Sequence, residues 1–393
     1  MLAPARVFLA LGSVALLVGG SIPANAQSVS ARSEVVGHVY VNDNTAPTNT
    51  IGAFDRHADG TLTPLSGSPF AAGGAGTGSI VGSQGSLQVT PDGHFLLAVD
   101  AGSNQISVSR ILPNGALVPA QSPIWSGGIK PVSIAVHGSL VYVANTGDPT
   151  PNLSGFALNP GGQLRPLAGS TVTFTAGSNP SDVLFNSTGT NLAATLVGPT
   201  FSGPSAIASY AVGSNGLLTA APDSPFAAQA PGTIGSEFRP TDPSQLFVSN
   251  AHAGAGNGSI SSYSVASDGI LNPISGSPFA DNQTAPCWVE ITHDGRYLFT
   301  VNTAVPSISR YSIAANGTLT LLSPVGTPFQ DPSGQTVAPL DLRLDPSGSY
   351  LYVVDSHLDA VSVFAVTGGT LTELPSSPVA LPSGATPFGI VVD

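Results

Sequence analysis

A four-residue phrase recurs seven times along the chain at nearly even spacing, and it restricts the fold more than any other feature. The phrase is a polar residue or glycine, then glycine, a variable residue and leucine. The gaps between successive copies of its glycine are 55, 47, 54, 53, 48 and 52 residues. The copies begin at Asp59, Asn114, Gly161, Asn215, Asp268, Asn316 and Gly368. A repeat of about 50 residues is typical of a propeller or a solenoid, in which each repeat packs on its neighbours.

Each copy of the repeat contains signals for several short strands. The copy that begins at Pro286 has the apolar-rich runs CWVEI and YLFTVN, joined through His-Asp-Gly, and then ISRYSI followed by NGTL. Asp-Gly and Asn-Gly between alternating apolar runs are strong hairpin signals, because both residue types tolerate a positive φ. After residue 26 no segment keeps a helical apolar period over more than two turns. The chain is therefore predicted to form an all-β propeller of four-stranded antiparallel blades.

The two ends of the chain predict how the ring closes. The first copy starts with VYVND at 39–43 and has no opening strand before it, whereas PFGIVVD at 387–393 is an opening strand with nothing after it. Joining the two completes a seventh blade from one C-terminal and three N-terminal strands. Such a closure leaves no free strand edge at the junction. The expected fold is thus a seven-bladed β-propeller closed by a C-terminal strand.

The first 26 residues are typical of a secretory signal. A basic start at Arg6 and an apolar run from Val7 to Gly20 precede Ala24-Asn25-Ala26, which is a small-x-small cleavage pattern. The apolar run is short for a membrane span. Residues 27–393 are then expected to form a single propeller domain that is secreted or periplasmic and has no membrane span.

Charge and cysteine content restrict the partners of the chain. Charged residues make up 8% of it, the formal net charge is −12, and Lys130 is its one lysine. A surface of this kind repels nucleic acid and anionic lipid. The single Cys287 excludes an internal disulfide framework and is expected to be a buried, inert thiol. We expect a monomer that takes a small-molecule or carbohydrate-like ligand and binds no nucleic acid.

The second strands, and the turns before two of them, carry a family resemblance. Tyr142–Asn145, Phe247–Asn250 and Phe299–Asn302 read YVAN, FVSN and FTVN, while the turns TPDG at 90–93 and DPSG at 345–348 precede LLAVD and YLYVVD. This pattern resembles the lactonase-type seven-bladed propellers with YVTN-type repeats, which include bacterial 6-phosphogluconolactonase and the muconate-lactonizing cyclase. The likeness covers essentially the whole chain after residue 26. It implies the propeller fold and, less directly, hydrolysis of a lactone.

The resemblance also implies an arginine and a histidine just after the proline that opens a blade, where they would hold an anionic lactone. In this chain the slot contains neither residue in any blade. It is occupied by Gly85-Ser86, Val132-Ser133, Ser181-Asp182, Ile234-Gly235, Cys287-Trp288, Leu340-Asp341 and Phe388-Gly389. A neutral, sugar-type lactone is therefore a better expectation than a phosphorylated one.

Alternation along the opening strands predicts which side chains face the central channel. Successive side chains of a strand point to opposite faces, and here one face is apolar while the other is polar or small. We expect the polar face to line the channel. The predicted catalytic residues are Glu237, Glu290 and Arg343. The predicted ligand-binding residues are Asp182, Trp288 and Asp341 on the same wall, with His252 and His357 in the rim loops.

The carboxylates of this wall have three interpretations. Glu237 and Glu290, in neighbouring blades at the same depth, could split their pKa values and serve as acid and base. With Asp182 and Asp341 they could instead ligate a hard divalent cation. Alternatively, one of the glutamates simply pairs with Arg343 across the channel.

Two functions are compatible with these patterns. The first is a secreted lactonase-type hydrolase that opens a small neutral lactone at the channel mouth, with Trp288 stacking on a sugar-like ring and Arg343 meeting the developing oxyanion. The alternative is a non-catalytic binding or scaffold propeller of the cell envelope. The carboxylate-rich mouth favours the first function, and the missing basic slot residues together with the low charge favour the second.

Overall fold

Each of the seven repeats forms one antiparallel sheet in the computed structural model, which describes residues 1, 33–200, 203–323 and 338–393. In every sheet, four strands follow one another in chain order, except where the chain ends join. The seven-bladed all-β propeller predicted from the sequence is therefore confirmed. Its strands all lie within Glu34–Asp393, and the predicted signal segment at 1–26 lies, apart from Met1, outside the described residues.

We number the blades from the N-terminal one and call their strands innermost, second, third and outer. The innermost strands of blades 1 to 7 are Gly389–Val392, Leu87–Val89, Pro131–His137, Pro180–Phe185, Thr233–Arg239, Pro286–Ile291 and Pro339–Leu344. The second strands are Val35–Asn42, Phe95–Asp100, Leu140–Asn145, Asn191–Leu196, Asp242–Asn250, Tyr297–Asn302 and Tyr350–Asp355. The third strands are Thr50–His57, Gln105–Ile111, Asn152–Leu158, Ala206–Val212, Ser259–Val265, Ser307–Ile313 and Ala360–Thr367.

The outer edge of each blade is short. The outer strands of blades 1 to 7 are Leu62–Pro64, Leu117–Pro119, Leu164–Pro166, Leu218–Ala220, Leu271–Pro273, Leu319–Ser323 and Thr370–Glu373. Among the described residues, six blades have a further two-residue strand that pairs with the third strand; these are Phe70–Ala71, Ile124–Trp125, Val172–Thr173, Phe226–Ala227, Phe279–Ala280 and Val379–Ala380. Short edges of this kind offer little unpaired backbone to another chain.

The predicted closure of the ring is present in blade 1. The C-terminal strand Gly389–Val392 pairs antiparallel with Val35–Asn42, with Val392 opposite Val39. Side chains reinforce this junction, because the Arg56 guanidinium donates to the main-chain oxygen of Asp393 at 2.7 Å and pairs with Asp345 of blade 7 at 3.4 Å. The two ends of the propeller thus close a single sheet and are also tied to the neighbouring blade.

The repeated glycine has a structural reason in every blade. All seven copies have a positive φ, for example +81° at Gly60 and +78° at Gly115, which L-residues with a side chain rarely adopt. Space is also restricted, since a Cβ atom on Gly60 would lie 2.3 Å from the ring of Tyr350 in the preceding blade. In several copies the glycine carbonyl accepts a hydrogen bond from that blade, as from the Tyr40 hydroxyl to Gly115 at 2.8 Å. The repeat is therefore a contact between blades as well as a turn.

The core lies between the blades, where the second and third strands pack face to face. Aromatic residues of the third strands are buried there, among them Phe54, Phe156, Tyr311 and Phe364. Burying one such side chain stabilises a fold by about 1.5–3 kcal/mol. The innermost strands contact one another around the ring and leave the polar face of each strand toward the axis.

A bulge at the start of several innermost strands sets which residues face this axis. In blades 3, 4 and 6 the residue after the opening proline is skipped in the pairing, so that Pro180 lies opposite Leu196 and Asp182 opposite Thr195. A bulge bends its strand and re-aims the side chains that follow it. The alternation that places Asp182 and its counterparts toward the axis begins after this point.

Candidate central active site

A cavity of about 260 Å³ lies inside the ring of innermost strands. We call the end of the propeller where the innermost strands begin the upper rim, and the end where they finish the lower rim. The cavity is lined mainly by the later residues of these strands, toward the lower rim. Its polar side chains are Gln84, Gln88, Asp182, Ser236, Glu237, Glu290 and Arg343. The prediction that the polar face of the innermost strands lines the channel is therefore confirmed in blades 4 to 7.

Arg343 forms ion pairs inside this cavity. Its Nη1 atom lies 3.1 Å from Asp341 Oδ1 and 3.5 Å from Glu290 Oε2, and it donates to the Leu342 carbonyl at 2.7 Å. The Arg343 side chain is 18% exposed and that of Glu290 is 12% exposed, so the pair is largely removed from solvent. Glu290 therefore does pair with Arg343, which was one of the three interpretations of the sequence. The Glu237 side chain makes no ion pair or hydrogen bond with any residue that the structure describes.

The two glutamates differ in their electrostatic surroundings. Burial raises the pKa of Glu290 to about 7, although the charge of Arg343 opposes the shift. Burial, and then the charge of Glu290, hold the pKa of Glu237 well above its usual range. Two like charges in a cavity of low dielectric cannot both form readily, so the pair retains a proton near neutral pH. The contact with Arg343 favours the ionised form of Glu290 over that of Glu237.

Asp182 and Asp341 lie deeper in the wall and are engaged by neighbouring strands. Asp182 Oδ2 accepts hydrogen bonds from the Ser236 amide at 2.9 Å and from the Ser236 hydroxyl at 2.6 Å. Burial raises the pKa of Asp182 to about 7 against these bonds. Burial also raises the pKa of Asp341, although the charge of Arg343 and the hydrogen bond from the Leu342 amide oppose this shift. Of the two, Asp182 lines the cavity, whereas the buried Asp341 acts on it through Arg343.

A segment of blade 2 closes the channel above the cavity. Gln84 is 2% exposed, and its side chain donates to the Ser236 carbonyl at 3.0 Å and accepts from the Val289 amide at 3.0 Å. The Gln84 amide donates to the Ser181 carbonyl at 3.2 Å, and the neighbouring Ser83 hydroxyl donates to the Val132 carbonyl at 2.9 Å. We call Ser83–Gln84 the plug. It joins blades 3, 4, 5 and 6 across the axis, and no local sequence pattern predicts it.

The position of Trp288 corrects its predicted role. The side chain is 2% exposed, and its indole N–H donates to the Ser83 carbonyl of the plug at 2.7 Å. A buried ring cannot stack on a ligand in the cavity, so Trp288 holds the plug instead. The indole N–H needs a buried acceptor, and the plug provides one. Sequence alternation had placed Trp288 correctly on the axial face but could not show that a chain segment covers it.

The two rim histidines are not brought to the carboxylates. His252 lines a separate cavity at the upper rim, on the other side of the plug. His357 is exposed in the loop after the second strand of blade 7, where its amide donates to Asp355 Oδ1 at 2.9 Å. The prediction that both histidines rim the mouth of the carboxylate cavity is wrong, because that cavity lies toward the opposite rim.

The donor set does not fit a divalent cation. Within the described ranges, no three His, Cys, Asp or Glu side chains are grouped so that they could hold a metal ion. The Arg343 guanidinium lies between Asp341 and Glu290, where it takes the place that a cation would need. Hard cations prefer a shell of six to eight oxygen ligands, which this arrangement does not supply. We therefore derive no step through a metal.

Comparison with known proteins agrees with the architecture. A family model described as Lactonase, 7-bladed beta-propeller, matches residues 238–390. The resemblance to the lactonase-type seven-bladed propellers is confirmed. No curated protein matches the chain in sequence. No helix in the described part of the chain is long and apolar enough to cross a bilayer.

Solved structures similar to this propeller share its fold at low sequence identity. A Bacteroides fragilis protein provisionally named 6-phosphogluconolactonase is 18% identical, with a TM-score of 0.68 over 92% of this chain and 98% of that one. A Bacteroides uniformis protein with the same provisional name is 18% identical, with a TM-score of 0.69 over 92% and 100%. The periplasmic gluconolactonase of Pseudomonas aeruginosa is 17% identical, with a TM-score of 0.68 over 91% and 98%. At such identities the likeness establishes the fold alone.

Proposed function

We propose that the protein hydrolyses a small neutral lactone of the sugar type in the central cavity. The observation that carries the proposal is the asymmetry of Glu237 and Glu290, because both line one cavity but, of the two, only Glu290 contacts Arg343. Two carboxyl groups whose surroundings push their pKa values apart are a recurrent arrangement for an acid and a base. The acidic lining repels phosphate, so a neutral ring is the better substrate. The Pseudomonas relative, a gluconolactonase by name, agrees with this class of substrate.

In this mechanism Glu290 is the general base. The neighbouring Arg343 favours its ionised form, and the carboxylate takes a proton from a water molecule as the water oxygen attacks the lactone carbonyl carbon. Glu237, which keeps its proton, gives it to the ring oxygen as that oxygen leaves. Arg343 stabilises the oxyanion of the tetrahedral intermediate. The ring C–O bond then breaks, and the products are a hydroxyl group and a carboxylic acid.

Acid release from D-glucono-1,5-lactone and from other neutral sugar lactones tests the proposal, with the uncatalysed rate subtracted. Glu290→Gln and Glu237→Gln should each lower kcat at least about a hundredfold, because each removes a proton-transfer group without changing size. Glu34→Gln is the matched control, since Glu34 is an exposed glutamate outside the cavity. Turnover that is absent in the parent, or unchanged in Glu290→Gln, would reject the assignment.

The pH dependence of this reaction provides a second test. A base must be deprotonated to act, so kcat should rise with pH as Glu290, whose pKa burial raises to about 7, becomes ionised. At higher pH the rate should fall as Glu237 loses its proton. Addition of a chelator should leave the rate unchanged. A rate that stays flat from pH 5 to pH 9 would mean that the two glutamates do not transfer protons.

We also propose that the protein is exported and starts near Gln27. The proposal rests on the apolar run and on the Ala24-Asn25-Ala26 pattern before that residue. N-terminal sequencing of the protein from extracytoplasmic and cytoplasmic fractions tests it. A cytoplasmic protein that still begins at Met1 would reject it.

A non-catalytic binding propeller is the second candidate. It is favoured by the engagement of Arg343 Nη1 with Asp341, Glu290 and the Leu342 carbonyl, which leaves that atom little freedom to meet an oxyanion. In that case a sugar lactone would bind in the cavity without turnover. Calorimetry separates the two functions, because replacing Glu237 and Glu290 with Gln would then change affinity while neither parent nor variant releases acid.

A further inference from the structure

A second cavity, of about 400 Å³, lies at the upper rim beside blades 3 to 5. It shares no lining residue with the central cavity. The plug separates the two, because Gly82 lines the upper cavity whereas Gln84, two residues later, lines the central one. The upper cavity is thus an independent site.

The chemistry of the upper cavity is the reverse of that of the central one. None of its lining residues is an aspartate or glutamate, although the chain carries 22 acidic residues. Lys130, the one lysine of the chain, stands at its mouth, and its ammonium group makes no ion pair with the described residues. The walls are mostly apolar and include the side chains of Ile80, Val81, Val132, Val197 and Ile234. One positive charge beside an apolar chamber complements a ligand that carries one negative charge on an apolar body.

The polar residues of this cavity are held in place by the backbone around them. The Lys130 amide donates to Asn104 Oδ1 at 2.8 Å, and its carbonyl accepts from the Thr146 amide at 3.0 Å. On the opposite side, the His252 amide donates to the Pro231 carbonyl at 3.1 Å. Gly232 makes this packing possible, because a Cβ atom there would lie 2.4 Å from the His252 ring. These contacts fix the main chain on both sides of the cavity.

We infer that the upper cavity binds a small apolar monocarboxylate, with its carboxylate at Lys130 and its hydrocarbon body among the valine and isoleucine side chains. A sugar would leave the apolar walls unmatched, and a phosphate would bring two charges to a single cation. A lysine ammonium pairs with a carboxylate as a compact charge with three donors, which suits a single acidic head group. This site does not depend on lactone hydrolysis in the central cavity.

Isothermal titration with octanoate, and with octan-1-ol as its uncharged counterpart, tests the inference. Octanoate should bind the parent with a stoichiometry of about one, and Lys130→Gln should weaken it about tenfold while leaving octan-1-ol unaffected. The matched control is Arg165→Gln, which removes the same charge from an exposed position on the outer strand of blade 3 and should change nothing. Equal effects of Lys130→Gln and Arg165→Gln would overturn the inference, as would octan-1-ol binding as tightly as octanoate.

A second substitution tests the cavity itself without removing charge. Gly82 is exposed at the mouth, and a Cβ atom there would meet no heavy atom within 4 Å, so Gly82→Leu adds bulk without a clash. This variant should weaken octanoate and octan-1-ol alike by about tenfold or more while the melting temperature stays at the parental value. Undiminished octanoate binding by Gly82→Leu would place the ligand elsewhere. Acid release from lactones should be unaffected in all three variants, so a failure here is distinguishable from a failure of the proposed reaction.

Discussion

Replacement of Asp100 by asparagine tests whether burial of carboxyl groups controls how stability depends on pH. Asp100 ends the second strand of blade 2 and is fully buried. Its carboxyl group accepts hydrogen bonds from Asn49 Nδ2 at 2.9 Å and from the Ser107 hydroxyl. Burial raises its pKa from 3.8 to about 6, although these bonds oppose the shift. Because the folded state holds the proton more tightly, Asp100 stabilises the fold at low pH, and that contribution is lost as pH rises from about 4 to about 6.

The size of the effect follows from the shift. A rise of roughly 2 pKa units corresponds to about 3 kcal/mol, at about 1.4 kcal/mol per unit. About a third of this stabilisation is already lost below pH 4.5. The contribution of Asp100 to the free energy of unfolding should therefore fall by about 2 kcal/mol between pH 4.5 and pH 7.5. Asparagine stays neutral throughout and avoids the loss. The fold accepts asparagine here, since Asn302 takes the equivalent position in blade 6 and donates to Ser309, the counterpart of Ser107, at 2.9 Å.

Urea unfolding followed by tryptophan fluorescence at pH 4.5 and pH 7.5 measures this effect. Relative to the parent, Asp100→Asn should gain about 2 kcal/mol in free energy of unfolding between the two pH values. Asp268→Asn is the matched control, because Asp268 is exposed in a repeat turn where Asn114 and Asn215 stand in other blades. The reasoning is refuted if Asp100→Asn differs from the parent by the same amount at both pH values.

Three further predictions concern the closure, the plug and the repeat. Deleting residues 389–393 should abolish cooperative unfolding, because it leaves the second strand of blade 1 unpaired at the ring junction; a truncated protein that melts like the parent would contradict the closure. Gln84→Ala should lower the free energy of unfolding by about 3 kcal/mol by leaving buried polar groups of blades 5 and 6 unpaired. Gln88→Ala, a cavity residue without such bonds, should cost less than about 1 kcal/mol, and equal losses would contradict the plug. Gly60→Ala should lower the free energy of unfolding by about 2 kcal/mol more than Gly93→Ala, because a Cβ atom on Gly60 meets a ring and one on Gly93 does not. Thermal melting measures the difference, and equal losses in the two variants would contradict the packing argument.

The number of blades, the strand order and the closure could all be predicted from the sequence. These follow from local rules that act within each repeat: Asn-Gly and Asp-Gly turns, alternation along strands, and an unpaired strand at each end. The same alternation identified Glu237, Glu290 and Arg343 as residues of one wall, since side-chain direction along a strand is a local property. The repeated glycine is visible in the sequence, but its role between blades is not. Only the structure shows that its carbonyl accepts a hydrogen bond from the preceding blade and that this blade leaves no room for a Cβ atom.

The contacts across the axis could not be predicted from the sequence and depend on long-range packing. The plug places Gln84 against Ser236 and Val289, which are more than 150 residues away in the chain, and no local pattern announces such a contact. For this reason Trp288 is buried, and His252 lines a different cavity from the carboxylates. The plug also separates an acidic cavity from one that is mostly apolar and contains no acidic side chain. Strand alternation fixes the direction in which a side chain points, but the space it meets there depends on long-range packing around the ring.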